Sequence, residues 1–392
     1  MAALPFETRN SFLADLGTAR QTQQLGTSLQ YSRSGDRTWE KWTRFCAELN
    51  VDPQLQEIDD PVRILEVFAV RTRDGRISKS GQPVRASTVD QTLRSVGQAF
   101  SQLGSPDPRL DHHGNLDLRL RRLIAGFKRT DPPPRRVKPI PISILHHAVD
   151  RIYNDPQASP ALHAAADMLI IGFYFLMRPG EHCHTTATDT SHPFLLRDLE
   201  LFCGNTTLDH ASASLVTLQT ATFVKLTFTT QKNGVRGERI GHARSGHRHF
   251  CPVTAIIKRI WHHRTYGSLP HLPLHCFYNA FGGIPHNTTS ATITKLLRDS
   301  CAAIGEPLGL NPAEIDARSL RSSGAMSLLC ARVDTDWIKL LGRWKSDAML
   351  RYLHVQAAPA MQNFASQMLA GGDYSFRPSR PTPGQQPAGP AG

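Results

Sequence analysis

Four short segments in the second half of the chain carry residue types suited to phosphate chemistry. In the first, MRPGEHC, Arg178 closes a very apolar stretch and Glu181 follows three residues later. The second, TTQKNGVRGER, sets Lys232 beside an Asn-Gly dipeptide. In the third, ARSLRSSGAMSLL, Arg318 and Arg321 stand three apart, a spacing that puts both on one helical face. The fourth, LLGRWKSDAMLRYLH, holds Arg343 and Tyr352 nine residues apart, across a turn that Gly342 opens and Ser346 can cap. Guanidinium forks fit phosphate oxygens in shape and charge, an ammonium can donate a proton, and a phenol can hold a phosphoryl group covalently. Each residue alone has a plainer use, since an arginine at a helix end commonly caps it and a tyrosine commonly fills a core edge. Order and spacing together make the signal.

These residues need a frame, and the apolar pattern supplies one. A helix from about Ser143 precedes a very apolar helix, Ala164 to Leu176, which delivers Arg178 at its end. Val224, Leu226 and Phe228 alternate with Lys225 and Thr227, so a strand leads into the Asn233-Gly234 turn, and a second polar strand runs from Val235 to Ile240. Lys225 is the alternative to Lys232, but alternation leaves it on a strand's polar face while the turn exposes Lys232. Further helices start at Pro252 and about Ser290. Upstream, the pattern is helical throughout. Trp39, Trp42, Cys46 and Leu49 share one helical face; Asp60-Pro61 opens a helix through Ile64, Leu65 and Phe68; and Ser87 can cap a helix bearing Val89, Leu93, Val96, Phe100 and Leu103, which Gly104 stops. Residues 1–30 lack a strong apolar period and read as a flexible arm. Residues 31–130 form a helical domain, 131–138 a basic proline-rich linker, 139–370 the domain that carries the chemistry, and 371–392 a disordered Pro/Gly tail.

The chain has 392 residues, 45 Lys plus Arg and 33 Asp plus Glu, hence a formal charge of +12. That excess favours a polyanionic partner. Basic residues crowd the end of the first domain and the linker: Arg119, Arg121, Arg122, Lys128, Arg129, Arg135, Arg136 and Lys138, with Asp131 the one acid among them. Such a strap suits phosphate tracking. The longest apolar run, Met168 to Met177, is far below the ~18 residues of a membrane helix, and Glu7 interrupts the place of a signal peptide. Seven scattered cysteines without a CxxC pair suggest reduced thiols and an intracellular setting, nuclear in a eukaryotic host. The cluster His247, His249, Cys251, His262, His263, His271, His275 and Cys276 fits no structural zinc spacing, so no metal is expected.

In order and spacing, the four segments resemble the tyrosine recombinase (phage integrase) superfamily over roughly Ser32 to Leu369, and the GRW-KSDA-LRY wording is similar to eukaryotic transposon-like members. The resemblance implies a mainly α fold with a small antiparallel β-sheet, built from an N-terminal helical core-binding (SAM-like) domain and a tyrosine recombinase catalytic domain. It implies catalytic roles for Arg178, Lys232, Arg321 and Tyr352, with Arg318 and Arg343 at the two histidine-type places, supported by Glu181 and Trp344. Arginine there can donate to phosphate but, with a pKa above ~12, cannot act as a general base near neutral pH.

The chemistry then implied is DNA strand transfer without metal, ATP or other cofactor. Tyr352 attacks the phosphodiester, Arg178 and Arg321 hold the non-bridging oxygens, and Lys232 protonates the departing 5′-oxygen. The partner is double-stranded DNA, with Gln91, Arg94 and Gln98 on the Ser87–Leu103 helix directed to the major groove. The implied assembly is a homotetramer in a synaptic complex and a monomer in free solution. An apolar face of Met361, Phe364, Met368 and Leu369 suits donation to a neighbouring copy or packing on its own domain. Two alternatives remain: a DNA-binding protein that has lost the chemistry, and topoisomerase-like relaxation of the type IB kind.

Overall fold

The computed structural model describes residues 5–26, 29–133, 137–185, 192–229 and 236–345. It divides into two compact units, Met1–Arg135 and Arg136–Gly392, and the division falls inside the proline-rich stretch. Among the described residues, no helix is long and apolar enough to cross a membrane. The architecture is mainly α with a small antiparallel sheet.

The first unit is helical: α1 (Phe6–Leu25), α2 (Leu29–Glu48), α3 (Pro61–Arg73), α4 (Ala86–Gln102) and α5 (Leu118–Thr130). Its core follows the apolar stripes, with Trp42, Phe45, Leu65, Phe68, Val89, Leu93, Val96, Phe100, Leu120 and Ile124 buried together. Trp42 meets Phe68 edge-on at 5.0 Å between centroids, and its Nε1 donates to Pro53 O at 2.9 Å, so the ring's one polar atom is satisfied inside.

Three local expectations need correcting. The stretch read as an arm contains α1, a helix of 20 residues. Phe12 and Leu13 are each 46% exposed, so no stripe announces it; helix-forming Leu, Ala, Arg and Gln sustain it, and the Thr18 and Thr22 hydroxyls bond carbonyls one turn back. Ser87 does not cap α4, which starts one residue earlier with Arg85 in the cap position. Asp131, from the far end of α5, accepts the Ala86 N–H at 3.1 and 3.2 Å and also pairs with Arg73. Asp60 precedes α3 but makes no capping bond with its side chain. Its carboxylate takes both outer nitrogens of Arg119, at 2.7 and 2.9 Å.

The second unit begins with α6 (Ile142–Tyr153), α7 (Pro160–Tyr174) and the single turn α8 (Pro179–His182). Then come β1 (Leu199–Cys203), β2 (Thr206–Leu208), α9 (Leu215–Gln219), β3 (Phe223–Phe228) and β4 (Glu238–Ala243). The remainder is α10 (Pro252–Thr265), a short hairpin of β5 (Cys276–Phe277) and β6 (His286–Asn287), α11 (Ser290–Ile304), α12 (Ser319–Cys330) and α13 (Thr335–Gly342). Residues 164–173 of α7 are all buried, which explains their continuous apolar run. The main sheet is antiparallel in the order β2-β1-β3-β4, with Phe228 opposite Glu238 at the end of the β3–β4 ladder.

The sheet is larger than the single hairpin expected. Leu199 and Leu201 do alternate, but over five residues, and β2 has three, too short for alternation to separate strand from helix. The second hairpin strand also runs on to Ala243, beyond Ile240. The turn with Lys232, the segment with Tyr352, the apolar face at Met361 to Leu369 and the tail from Gly371 lie outside the described residues.

Candidate active site

The site starts where α7 ends. Phe175 closes the helix and Leu176 turns left-handed, at φ 47°, a conformation that is strained for a branched side chain. Met177 N returns to Gly172 O at 3.0 Å, and the chain emerges extended at Arg178. Arg178 then caps α8: its N–H donates to Glu181 Oε2 at 2.9 Å and its Nη1 to Oε1 at 3.0 Å. His182, one residue on, donates from Nδ1 to Arg178 O at 2.9 Å. Burial pushes that imidazole down to about 4, so it is neutral at ordinary pH.

Arg343 closes the same turn from the other side. It ends α13 in the left-handed region, at φ 58°, and is 3% exposed. Its guanidinium donates to Phe175 O at 2.9 Å, Leu176 O at 3.3 Å and Glu181 Oε2 at 3.0 Å. The first two are carbonyls at the negative end of α7, where a cation is favourable. The guanidinium carbon also lies 3.6 Å from the ring centroid of Phe228, the last residue of β3. Burial lowers Arg343 to about 10 and Glu181 opposes that fall, so the group stays charged at neutral pH. One side chain therefore touches the Arg178 turn and the hairpin strand that leads toward Lys232.

Arg321 enters from α12, buried at 3% exposure. It donates through Nη2 to Gly342 O, the residue before Arg343, and its guanidinium stacks 4.5 Å from the Trp344 ring centroid. Two glycines permit this approach. A Cβ on Gly324 would meet Phe173 O at 2.5 Å and the Leu176 side chain at 2.2 Å, so α12 packs on the end of α7 through bare backbone. A Cβ on Gly342 would meet the Trp344 ring at 1.6 Å.

Arg178, Glu181, Arg321, Arg343 and Trp344 are thus joined where α7 and α13 end and α12 begins. Three guanidiniums are bonded into this assembly beside the Glu181 carboxylate, and Glu238 at the start of β4 acts electrostatically on Arg343, so a net of 3 − 2 = +1 remains, which suits an anion. Arg318 is not part of it. It sits in the cap position before α12, its side chain 68% exposed, and pairs with Asp316 through Nε at 3.0 Å and Nη2 at 2.5 Å. The shared helical face fails because Asp316, two residues upstream, captures the side chain. Lys225 lies with its ammonium 4.6 Å from the Phe202 ring centroid on β1.

No protein-family model and no curated protein sequence matches the chain. Solved structures do. The Tn1549 transposon integrase in complex with transposon right end DNA matches over 90% of this chain and 98% of its own, at 13% identity and a TM-score of 0.51. The chain has the tyrosine recombinase fold. A lambda integrase (75–356) dimer bound to a COC′ core site covers 88% of this chain and 95% of its own, at 13% identity and TM-score 0.47. XerH site-specific recombinase bound to a difH substrate covers 82% and 74%, at 13% and 0.43.

Within this tyrosine recombinase fold, the residues chosen for DNA contact divide into two kinds. Arg119 is committed to Asp60 and Asp117, Lys138 pairs with Glu314 at 2.8 Å, and Arg94 pairs with Asp90 at 3.1 Å. Arg121, Arg122, Lys128 and Arg129 are exposed on α5, opposite buried Leu120 and Ile124, and make no ion pair with described residues. Arg135 and Arg136 lie outside the described residues. Three histidines of the candidate zinc cluster, His247, His249 and His262, hold up local structure. His247 Nδ1 accepts the His249 and Phe250 N–H groups, His249 Nδ1 bonds Asp150 at 2.9 Å, and His262 Nε2 accepts the Tyr278 N–H at 3.0 Å. Among the described residues, no group of three or more His, Cys, Asp or Glu is arranged to hold a metal. Sequence reasoning missed His182 and Phe228. The first had a usable signal, a histidine one helical turn after Arg178; the second had none beyond its strand pattern.

Proposed function

We propose that this protein is a DNA strand transferase that breaks and rejoins duplex DNA through a 3′-phosphotyrosyl linkage on Tyr352. One observation supports this reading above the others: Arg178 and Arg321, 143 residues apart in sequence, are tied into one hydrogen-bonded assembly through Glu181, Arg343 and Gly342.

In the proposed reaction, the scissile phosphate sits against the guanidiniums of Arg178 and Arg321, which carry the charge that builds on the non-bridging oxygens. The Tyr352 oxygen forms a bond to phosphorus and the bond from phosphorus to the 5′-oxygen breaks. Lys232 gives that oxygen its proton, and the phenol's own proton passes to solvent, its loss eased by the neighbouring positive charge. A 5′-hydroxyl from a second strand reverses the step, releasing Tyr352 and leaving a phosphodiester. The bond energy is conserved in the tyrosyl ester, so no nucleotide is consumed. Arg343 acts here as a positioning residue, because its guanidinium is spent on Glu181 and two carbonyls.

DNA is the partner in this reading, with Arg121, Arg122, Lys128 and Arg129 meeting backbone phosphates, and four copies assemble on two duplexes from monomers in solution. A second reading, DNA binding without chemistry, is favoured by one observation: Arg318 is paired to Asp316 and Arg343 is buried, so neither histidine-type place offers a proton acceptor. A nicked suicide substrate separates the two. The strand-transferase reading expects a covalent adduct that Tyr352→Phe abolishes, whereas salt-sensitive binding with no adduct on any substrate supports the second. Relaxation of arbitrary supercoiled plasmid by a monomer would point instead to topoisomerase-like action.

A further inference from the structure

The first unit holds a cavity of about 350 Å³ between the C-terminal half of α2, the end of α3 and the loop that follows it. Its charged lining is Lys41, Arg44, Arg71, Arg76 and Lys79 against a single carboxylate, Glu48. Phe45 and Ile77 supply apolar wall. Arg71 is fixed over the Phe45 ring at 5.2 Å and pairs with Glu48 at 2.9 Å. Arg44 donates to Ile77 O at 3.3 Å, which ties α2 to the loop and holds the rim closed on that side. Arg76 pairs with Asp74 at 2.9 Å, outside the lining. Lys41 and Lys79 make no ion pair with described residues, and both line the cavity. Five cations around one small concave volume repel one another, and Glu48 and Asp74 each offset one of them, which leaves a net of 5 − 2 = +3. A folded chain gains from bringing an anion there.

We propose that this cavity is a phosphate seat, separate from the Arg178–Arg321 assembly, that takes a backbone phosphate of bound DNA. The seat rests on the DNA-binding reading above. Guanidiniums at Arg44 and Arg71 offer directed forks, and the Lys41 and Lys79 ammoniums offer mobile point charges, a mixture that suits a tetrahedral oxyanion better than a planar carboxylate. One phosphate held here fixes the helical unit's register on the duplex without reading a base.

The test uses the full chain with Lys41→Ala/Lys79→Ala, Lys41→Arg/Lys79→Arg and Glu48→Gln variants. Calorimetric titration with inorganic pyrophosphate asks whether the cavity takes phosphate at all. The alanine pair is expected to weaken pyrophosphate binding at least several-fold, the arginine pair to retain it, and Glu48→Gln to tighten it. Duplex affinity measured over a range of salt asks whether the phosphate belongs to DNA. Loss of the seat is expected to reduce the slope of log affinity against log salt by about 1, since each neutralised phosphate contributes roughly 0.9. Pyrophosphate binding unchanged in the alanine pair overturns the seat. Weakened pyrophosphate binding with an unchanged DNA slope overturns the assignment to DNA and leaves a site for a free phosphate group. A wild-type chain that binds no DNA at any salt overturns the strand-transferase reading and the DNA assignment, and the pyrophosphate titration still decides the cavity.

Discussion

Glu181 and Arg343 are 162 residues apart in sequence and meet at 3.0 Å, with side-chain exposures of 1% and 0%. The same carboxylate also holds the Arg178 backbone and guanidinium. The pair is therefore the joint through which the turn that presents Arg178 is fixed to the end of α13, nine residues before Tyr352.

Removing one member of a buried ion pair leaves the other charge without compensation, at a cost of roughly 3 to 5 kcal/mol. Arg343→Ala is expected to lose about that much in denaturant unfolding, and also the two bonds to the α7 carbonyls. Arg343→Lys keeps the charge but not the fork, and should fall between wild type and alanine. The positioning role adds a kinetic signature: among variants that remain folded, adduct formation on a nicked substrate falls while duplex affinity is retained. Loss of duplex affinity in parallel with the adduct would instead make Arg343 a phosphate ligand.

Much of this frame could be read in the chain, and the failures have identifiable causes. The Arg178 and Glu181 spacing marks a cap within one helical turn, a local relation that needs no tertiary fold. The bond from Glu181 to Arg343 could not be read, because nothing local tells a buried structural arginine from one that faces a ligand. Leu176 hides the strained turn, since the left-handed place after a helix is ordinarily glycine or asparagine. Arg318 misleads because spacing on a helix says which residues share a side, while a carboxylate two residues away decides where a long side chain goes. The α1 helix was missed for the opposite reason: it has propensity without a stripe. The expected loop lysine and the nucleophile lie outside the described residues.

Gly324 and Gly342 make a second test of the same joint. A methyl on Gly324 meets a backbone carbonyl, which cannot swing away, so α12 must shift off the Leu176 turn. Gly324→Ala is expected to cost about 1 to 3 kcal/mol as overpacking, read by denaturant unfolding. It should also reduce adduct formation, because Arg321 rides on that helix. The atoms nearest a methyl on Gly342 belong to the Trp344 ring, so Trp344→Ala in the same chain should restore part of the stability that Gly342→Ala loses. Absence of that rescue would show that the left-handed Arg343 turn, and not the indole, is what the methyl disturbs.

Buried histidines set a pH dependence whose sign is fixed. His182, His242, His263 and His275 are each pushed down to about 4, chiefly by burial, and His262 to about 3. Unfolding returns them to about 6.5, where the unfolded chain binds more protons than the folded one. Their contribution is complete above pH ~6.5 and is lost as pH falls toward about 4. Asp167 works the other way: burial raises it to about 6, so its share of stability declines as pH rises from its unfolded value near 3.8. Five histidines outweigh one carboxyl, and stability should fall between pH 6.5 and 4.5. Replacing His182 with Asn, which cannot titrate, should flatten that fall in urea midpoints measured across the range.

Arg119 and Arg122, three residues apart on α5, should separate folding from DNA contact. Arg119 is bound by Asp60 and Asp117 and joins the start of α3 to α5, whereas Arg122 projects from the outer face with no ion pair among described residues. Arg122→Ala together with Arg129→Ala should leave the unfolding midpoint unchanged and lower the salt slope of duplex binding by about 2, close to 1 per phosphate lost. Arg119→Ala should do the reverse, shifting the midpoint with little change in slope, because its charge is already neutralised within the protein. If both substitutions lower the slope equally, then Asp60 releases Arg119 on contact with DNA, and α5 binds with its whole basic complement.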